Sequence, residues 1–257
     1  MLFSDLHTHT VFSHGKGTIE ENYNQAVKIG LSQLGISDHG LGHLMFGMKK
    51  KNIAVMRQEI ERLNAKGKPT KVYLGIEANL LDFDGNVDLT REEARLFDYV
   101  IVGYHKASAP TNFGNFFSYN LGSMLRDAFK APADDRYTRA YVKAIESGKV
   151  DIISHLNLGV KTDVREVGKA ARDYGVLIEL NGKGVAMTDD EVNELLNVGV
   201  TFIVNSDAHT PDRVGEISKP MAVIDRLAIP ACKVVNLSGP VDIDAFTQRR
   251  ATDVRRV

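Results

Sequence analysis

The sequence predicts an α/β fold in which seven parallel strands alternate with helices and form a barrel or near-barrel. Short apolar runs recur along the 257 residues, and most are continuous in Val, Ile and Leu, as is typical of strands covered on both faces. The segments between them carry apolar residues at helical spacing. This alternation, without a linker or a repeat, predicts one domain over residues 1–257.

The elements follow one another with recognisable start and stop signals. The predicted strands cover residues 2–9, 34–39, 72–78, 99–105, 150–155, 176–181 and 200–207. Capping boxes, in which a Thr hydroxyl and a Glu carboxylate satisfy free backbone N–H groups, predict helix starts at Thr18 with Glu21, Thr90 with Glu93 and Thr188 with Glu191. Glycines predict helix ends at Gly30, Gly67, Gly148, Gly175 and Gly199.

The competing architecture for such an alternation is a doubly wound open sheet. That fold usually carries a phosphate-binding glycine fingerprint after its first strand, but His7, Thr8 and His9 stand there. A barrel is favoured because it collects functional groups from the ends of many strands. The longest connection, residues 107–133, carries Phe113, Phe116, Phe117 and Tyr119 and is predicted to be a lid or binding loop, or to pack on the barrel.

Composition excludes several classes of protein. The net charge of -1 offers no global field for nucleic acid or an anionic membrane. The lone Cys232 cannot form a disulfide within the chain. No run approaches the roughly 18 apolar residues of a membrane span, and Asp5 interrupts the N-terminal apolar residues. We therefore expect a cytoplasmic protein that binds neither membrane nor nucleic acid; its oligomeric state stays open.

The histidines are concentrated at the predicted strand ends. Seven of the eight lie at or just past such an end, and two acidic residues share this placement; the set is His7, His9, His14, His39, Glu77, His105, His155, Asp207 and His209. In a parallel barrel these ends open on one rim. Tetrahedral zinc takes four ligands, so nine imply two or three ions, with Glu77 and Asp207 as candidate bridges.

A single histidine at a strand end is more often a hydrogen-bonded structural residue than a ligand. The joint pattern changes this balance, because unpaired imidazoles and carboxylates crowded on one rim are costly to desolvate and metal ions satisfy them. Asp5, which is in phase with His7 and His9, and Asp38, which precedes His39, are predicted to orient imidazoles through their second nitrogen.

The motifs at the strand ends resemble those of the PHP family, named for polymerase and histidinol phosphatase. They are Asp-Leu-His-Thr-His-Thr at 5–10, Ser-Asp-His-Gly at 37–40, Gly-Ile-Glu-Ala-Asn at 75–79, Gly-Tyr-His at 103–105, Ser-His at 154–155 and Asn-Ser-Asp-Ala-His at 205–209. The resemblance runs essentially end to end and is greatest to the stand-alone bacterial phosphatases. It implies a distorted seven-stranded, TIM-like barrel with a trinuclear metal site and phosphoesterase activity.

The resemblance also implies how the ligands are shared among three divalent ions. One ion would take His7, His9, Glu77 and Asp207; the second would take Glu77, His105 and His155; the third would take His14, His39 and His209. The donor types suit zinc, manganese or iron. Glu77, Asp207 and His209 are the predicted catalytic residues.

The first functional hypothesis is hydrolysis of a phosphomonoester, a small-molecule substrate, by a metal-bridging hydroxide. Lys106, Lys183 and Arg213 are candidates for holding the phosphate, although a basic residue on a rim loop is more often a solvated charge. Histidinol phosphate is one specific substrate that the resemblance offers.

Two rival hypotheses stay open. An amidohydrolase barrel also begins with His-x-His and ends with Asp, but it relies on a modified lysine where His105 stands here. A metal-loaded binding module would hold ions without hydrolysis. The eighth histidine, His43, lies in a loop near His39, where it is a candidate for an outer-shell or substrate-binding role.

Overall fold

The computed structural model describes residues 1–106, 108, 119 and 132–252. Its strands all pair in parallel and lie in the order of the chain. They are β1 Ser4–Asp5, β2 Gln33–Ile36, β3 Lys71–Asn79, β4 Tyr99–Gly103, β5 Ile152–Ile153, β6 Leu177–Asn181 and β7 Phe202–Asn205. The predicted α/β fold of seven parallel strands is confirmed.

The sheet closes through residues that lie just beyond its first and last strands. Thr8 and Ala208 form a parallel bridge, and the His9 amide donates to the Ala208 carbonyl at 2.8 Å. The Leu6 amide donates to Oδ1 of Asn205 at 2.9 Å. These contacts make a nearly closed, TIM-like barrel.

Several strands are shorter than predicted, because the backbone leaves the ladder before the functional residues are reached. The predicted strands 2–9 and 150–155 shrink to two residues each. His155 and Asp207 have positive φ values of 29° and 52°, a conformation that strands do not use. Apart from Glu77, which lies within β3, the rim residues therefore lie on turns that follow the strands.

Helices follow the strands and cover the outside of the barrel. They are α1 Ile19–Ile29, α2 Asn52–Asn64, α3 Arg91–Ala94, α4 Asp135–Glu146, α5 Val164–Tyr174, α6 Asp189–Val198, α7 Ser218–Arg226, α8 Val235–Ser238 and α9 Ile243–Thr252. All three predicted capping boxes are present with both hydrogen bonds. Within the described ranges, no helix is long and apolar enough to cross a membrane.

The predicted loop 107–133 falls mostly outside the described residues, and this includes Phe113, Phe116 and Phe117. Tyr119 is described and fully buried. Its hydroxyl donates to the Leu80 carbonyl at 3.1 Å, and its ring contacts those of Phe83 and Tyr137. Tyr119 therefore packs into the core.

The inside of the barrel has its own apolar cluster, separate from the core between strands and helices. It consists of Leu6, Tyr99, Ile101, Ile152, Leu177, Ile203, Val241, Ile243 and Phe246. Glu77 pairs in register with Ile101, and Glu179 pairs with Ile203. Side chains alternate between the two faces of a strand, and in-register residues of neighbouring strands share a face. These two acids therefore lie on the inner face of the barrel, as Ile101 and Ile203 of the apolar cluster do.

Tyr99 fills space inside the barrel that is open only because Gly35 and Gly75 have no side chain. Its hydroxyl donates to the Leu6 carbonyl at 2.6 Å. A Cβ on Gly35 would lie 1.9 Å from the Tyr99 hydroxyl oxygen, and one on Gly75 would lie 2.2 Å from Tyr99 Cζ. The ring is buried and held at both ends, so it has no room to move.

Replacing Gly75 with Ala is therefore expected to destabilise the barrel by about 3 kcal/mol, at the upper end of the usual cost of overpacking. Denaturant unfolding measures the change. The control is Gly239→Ala, because a Cβ at that extended position meets nothing within 4 Å. Equal stability of the two variants would contradict the close packing of Tyr99.

Candidate metal centre

The structure brings all nine predicted ligands to the carboxyl-terminal rim of the barrel. The rings of His9 and His209 have centroids 4.2 Å apart, and those of His9 and His39 are 4.5 Å apart. His14, on the turn after His9, lies 4.2 Å from His209. Residues separated by about 200 positions in the chain thus meet in one cluster.

Glu77 lies at the centre of this cluster and is 1% exposed. Its Oε1 lies 3.3, 3.2 and 3.0 Å from Nε2 of His7, His105 and His155. Its Oε2 lies 3.0 Å from Nδ1 of His39 and 3.5 Å from Nε2 of His9. The two oxygens therefore face different groups of imidazoles, which is the arrangement a bridging carboxylate needs.

Asp207 is the second acidic residue of the cluster and lies beside His7 and His9. Its Oδ1 lies 3.3 Å from Nε2 of His9 and 3.7 Å from Nε2 of His7. The same oxygen lies 3.4 Å from Nδ1 of His209 and 2.9 Å from Nζ of Lys183. The positive φ of Asp207 turns its carboxylate from the end of β7 into the cluster.

Three groups of ligand atoms within the described residues are compact enough to hold an ion, with all atoms of a group within 4.8 Å of one another. They are His7, His9 and Asp207; His39, Glu77 and His105; and His9, His39 and His209. The first group lies within one of the ligand sets that the resemblance implies. The other two are shared differently, because His39 lies beside Glu77 as well as beside His209.

Unpartnered ring nitrogens show that the cluster fits divalent ions. Nε2 of His7, both nitrogens of His9 and Nδ1 of His39 are buried and make no hydrogen bond. Buried polar atoms are normally satisfied, and neutral imidazole together with carboxylate is a donor set that zinc, manganese and iron accept. An ion would supply the missing partner of one ring nitrogen in each of these three histidines.

The electrostatics of the cluster are dominated by burial and mutual attraction. Burial opposes protonation of His7, but Glu77, Glu179 and Asp207 outweigh it and raise its pKa well above the usual value. Burial would raise the pKa of Glu77, but the imidazoles around it, His7 foremost, hold that pKa well below its ordinary value. Positive charge is thus strongly favoured between these groups.

The outer histidines behave differently. Burial, together with neighbouring positive groups, lowers the pKa of His14, His43 and His209 to about 4 in each case. These three rings are neutral at neutral pH, and for the predicted ligands His14 and His209 this is the form that a metal ligand requires.

Glu179 is a site residue that the sequence reasoning missed. It is 1% exposed in β6, and its Oε1 accepts hydrogen bonds from Nδ1 of His7 at 2.8 Å and Nδ2 of Asn205 at 2.9 Å. Its Oε2 accepts from the His155 amide at 3.1 Å and from Nδ2 of Asn181 at 2.8 Å. The available signal was an acid inside the apolar run 176–181.

The bond to Glu179 sets the tautomer of His7. In the neutral form that a metal ligand requires, Nδ1 keeps the proton because it donates to Glu179, and Nε2 is the nitrogen left for an ion beside Glu77 and Asp207. This is the carboxylate and histidine pairing that orients metal ligands. Asn181 extends the network, because its Nδ2 also donates to Oδ2 of Asp207 at 3.1 Å.

Asp5, which was predicted to orient an imidazole, accepts hydrogen bonds from backbone amides instead. Its carboxylate accepts hydrogen bonds from the amides of Ser206 and Gly215 at 3.1 and 2.8 Å, and from the Ser206 hydroxyl. It also accepts from the His7 amide at 3.4 Å. Asp5 therefore ties the turn after β7 to β1, which places Asp207 and His7 side by side.

Asp38 has a similar role on the other side of the rim. It accepts hydrogen bonds from the Thr10 amide at 2.7 Å, the Thr10 hydroxyl and the Ser13 hydroxyl. Burial raises the pKa of its carboxyl group. The contacts fix the turn that carries His14, and they go to backbone and hydroxyl groups where an imidazole was expected.

The three predicted phosphate-binding residues have different surroundings. Lys183 reaches the cluster, with Nζ 2.9 Å from Asp207 and 3.4 Å from Nε2 of His209. Lys106 is exposed directly after His105. Arg213 is exposed on the short 3-10 helix Pro211–Arg213. Hydrogen bonds from Ser218 lower the pKa of Glu216, and the positive charge of Arg213 adds to this effect.

Fold and site together define a parallel α/β barrel whose rim carries a histidine- and carboxylate-rich candidate metal centre. The model of the PHP domain family matches residues 5–190. The chain therefore belongs to the PHP family.

Relatives with curated names extend the match over almost the whole chain. A probable phosphatase from Thermoanaerobacter sp. (strain X514) is 31% identical over 253 residues, which cover 91% of this chain and 90% of the relative. A probable phosphatase from Shewanella sp. (strain ANA-3) is 27% identical over 258 residues, covering 95% and 91%. These relatives are phosphatases by name.

A solved structure shares the fold. Histidinol phosphate phosphatase from Lactococcus lactis subsp. lactis Il1403, complexed with zinc, L-histidinol and phosphate, superposes with a TM-score of 0.60 at 17% identity. The match covers 88% of this chain and 94% of that chain. At this identity the likeness concerns the barrel alone.

Proposed function

We propose that this PHP-family protein is a metal-dependent phosphoesterase that hydrolyses phosphomonoesters at a centre of three divalent ions. The observation that carries the proposal is the surroundings of Glu77, whose two buried oxygens face five imidazoles. The names of the curated relatives point to the same reaction class. We further propose that residues 1–257 form one catalytic domain.

The nine rim residues would hold the ions, with Glu77 shared between at least two of them. Ions held there would supply the chemistry of this enzyme class, which is polarisation of the phosphate oxygens, a lower pKa for a bound water and neutralisation of charge on the leaving oxygen. No side-chain nucleophile is required. The set of neutral imidazoles with two carboxylates leaves the loaded centre positive, which suits an anionic substrate.

The chain's own residues prepare the site for a phosphate. Glu179 and Asn181 hold His7 and Asp207 in fixed orientations, so little reorganisation is needed on binding. Lys183 places its ammonium at the edge of the cluster beside Asp207 and His209. A substrate phosphate would compete for this ammonium, which makes Lys183 the best placed of the three predicted phosphate-binding residues.

The test is phosphate release from a panel of esters in the presence of manganese or zinc, with a chelator as control. The panel contains histidinol phosphate, sugar phosphates, nucleotides and a phosphodiester. We expect metal-dependent release from monoesters and its loss with the chelator. The proposal would be refuted if no ester in the panel released phosphate although metal was bound, or if amide or lactone substrates were hydrolysed instead.

A further inference from the structure

The loop between β2 and α2 exposes an unusual apolar segment at the edge of the candidate metal centre. Leu44, Met45 and Phe46 are consecutive, and their exposed fractions are 62%, 72% and 38%. Residues 41–48 contain no Lys, Arg, Asp or Glu. Exposed apolar surface beside a polar site is a common mark of a ligand-binding surface.

This loop is anchored at both ends. The Gly42 amide donates to Oδ2 of the half-buried Asp88 at 2.8 Å, and the Met48 amide donates to the His39 carbonyl at 2.9 Å. The Met48 side chain is buried. The loop is therefore held against His39, one of the proposed ligands. Residues 43–46 keep a defined position relative to the cluster.

Two aromatic rings of the loop lie against the proposed ligands. The Phe46 ring stacks on His14 with centroids 4.6 Å apart and an interplanar angle of 28°. The His43 ring lies 5.2 Å from His39 and 6.0 Å from His105. The two rings are 5.3 Å apart, so they form one wall beside the metal-binding imidazoles.

His43 differs in its hydrogen bonding from the ligand histidines. Its Nδ1 accepts from the backbone amides of Met45 and Phe46, at 3.4 and 3.1 Å. A neutral imidazole whose Nδ1 accepts must carry its proton on Nε2. His43 therefore has a donor to offer and no free lone pair for a metal ion.

Resting on the proposed phosphomonoesterase function, we propose that His43 and Phe46 form the subsite for the alcohol part of the substrate. Phe46 packs against the planar ring of the alcohol, and Nε2 of His43 donates a hydrogen bond to a nitrogen or oxygen atom on that ring. Residues 41–48 carry no charged side chain, which disfavours a second charged group on the part of the substrate that contacts them. The substrate class is monoesters of uncharged aromatic or heteroaromatic alcohols.

The first experiment compares benzyl phosphate with glycerol 3-phosphate, two esters whose leaving alcohols are of similar acidity. We expect kcat/KM of the metal-loaded protein to favour benzyl phosphate by about tenfold, a typical value for a fitted apolar contact. Phe46→Ser should lose this preference, because it lowers kcat/KM on benzyl phosphate by more than it lowers kcat/KM on glycerol 3-phosphate. Val55→Ser, at a 54% exposed position on α2, is the control and should change neither rate.

The second experiment separates the two hydrogen-bonding roles of His43. In His43→Asn the side-chain oxygen takes the place of Nδ1 and can accept the same amides, but no donor remains at the position of Nε2. We expect His43→Asn to keep wild-type thermal stability and metal content and to lose about tenfold in kcat/KM on 3-pyridylmethyl phosphate, whose ring nitrogen accepts a hydrogen bond, with a smaller loss on benzyl phosphate. Wild-type rates in His43→Asn with impaired His43→Ala would show that His43 only shapes the loop, and a loss of metal would show that it is a ligand.

The outcomes distinguish the subsite from the function on which it rests. Equal kcat/KM for the two esters, or an equal loss on both in Phe46→Ser, overturns the subsite and leaves the phosphomonoesterase intact. No phosphate release from any monoester, with metal content confirmed by elemental analysis, overturns both.

Discussion

Replacing Glu77 with Gln is expected to remove bound metal and lower kcat/KM by at least about a thousandfold, while the barrel stays folded. The carboxylate faces five imidazoles, and a neutral amide offers neither the negative charge nor two equivalent oxygens. A thousandfold loss corresponds to about 4 kcal/mol, in line with the several kcal/mol that bound ions contribute. Elemental analysis and steady-state kinetics measure the two effects.

The matched control is Glu194→Gln, which changes the same chemical group on the exposed surface. It should keep the metal content and the activity of the unchanged protein. Circular dichroism of both variants checks that the barrel is folded. Full activity or full metal occupancy in Glu77→Gln would contradict the assignment of Glu77 as a bridging ligand.

Replacing Glu179 with Gln is expected to weaken metal binding by about 10- to 100-fold, the usual effect of removing the partner of a metal-binding histidine. The carboxylate accepts four hydrogen bonds, two on each oxygen. The amide group of a glutamine would point its own donors at two of those four donors. The orientation of His7 and the turn at His155 would both be disturbed.

Metal affinity, measured by competition with a chromophoric chelator, is the primary readout for Glu179→Gln. Thermal unfolding in excess chelator measures the stability of the metal-free fold separately. Glu179→Asp, which keeps the charge on a shorter side chain, should recover part of the affinity. A variant that loses stability in chelator but binds metal normally would show that Glu179 supports the barrel without orienting the ligands.

The two acids illustrate how far a sequence can predict a metal centre. Glu77 is recognisable because it ends an apolar run like the histidines at 39, 105 and 155, and the ends of parallel strands must meet at one rim. Glu179 lies inside its strand, and its partner His7 is 172 residues away. Periodicity says which face an acid occupies, but it does not say which imidazole lies opposite.

Asp5 and Asp38 show the same limit from the other side. Their phase and neighbours suggested contact with imidazole rings. In the structure their hydrogen bonds go to the turns after β7 and β1, because the short strands end early and leave free amides close by. Buried backbone donors must be satisfied, and these carboxylates are the nearest acceptors.

The sequence by itself determined the class of fold, the helix starts and the membership of the rim cluster, since each depends on local spacing and on the rule that parallel strands end together. Only the tertiary structure decided that Tyr99 occupies the space of two absent side chains, that Glu179 orients His7, and that Asp88 anchors the loop carrying Phe46. These contacts join residues 24 to 172 positions apart. They arise when the barrel closes, and closure depends on the packing of the whole chain, which no local pattern contains.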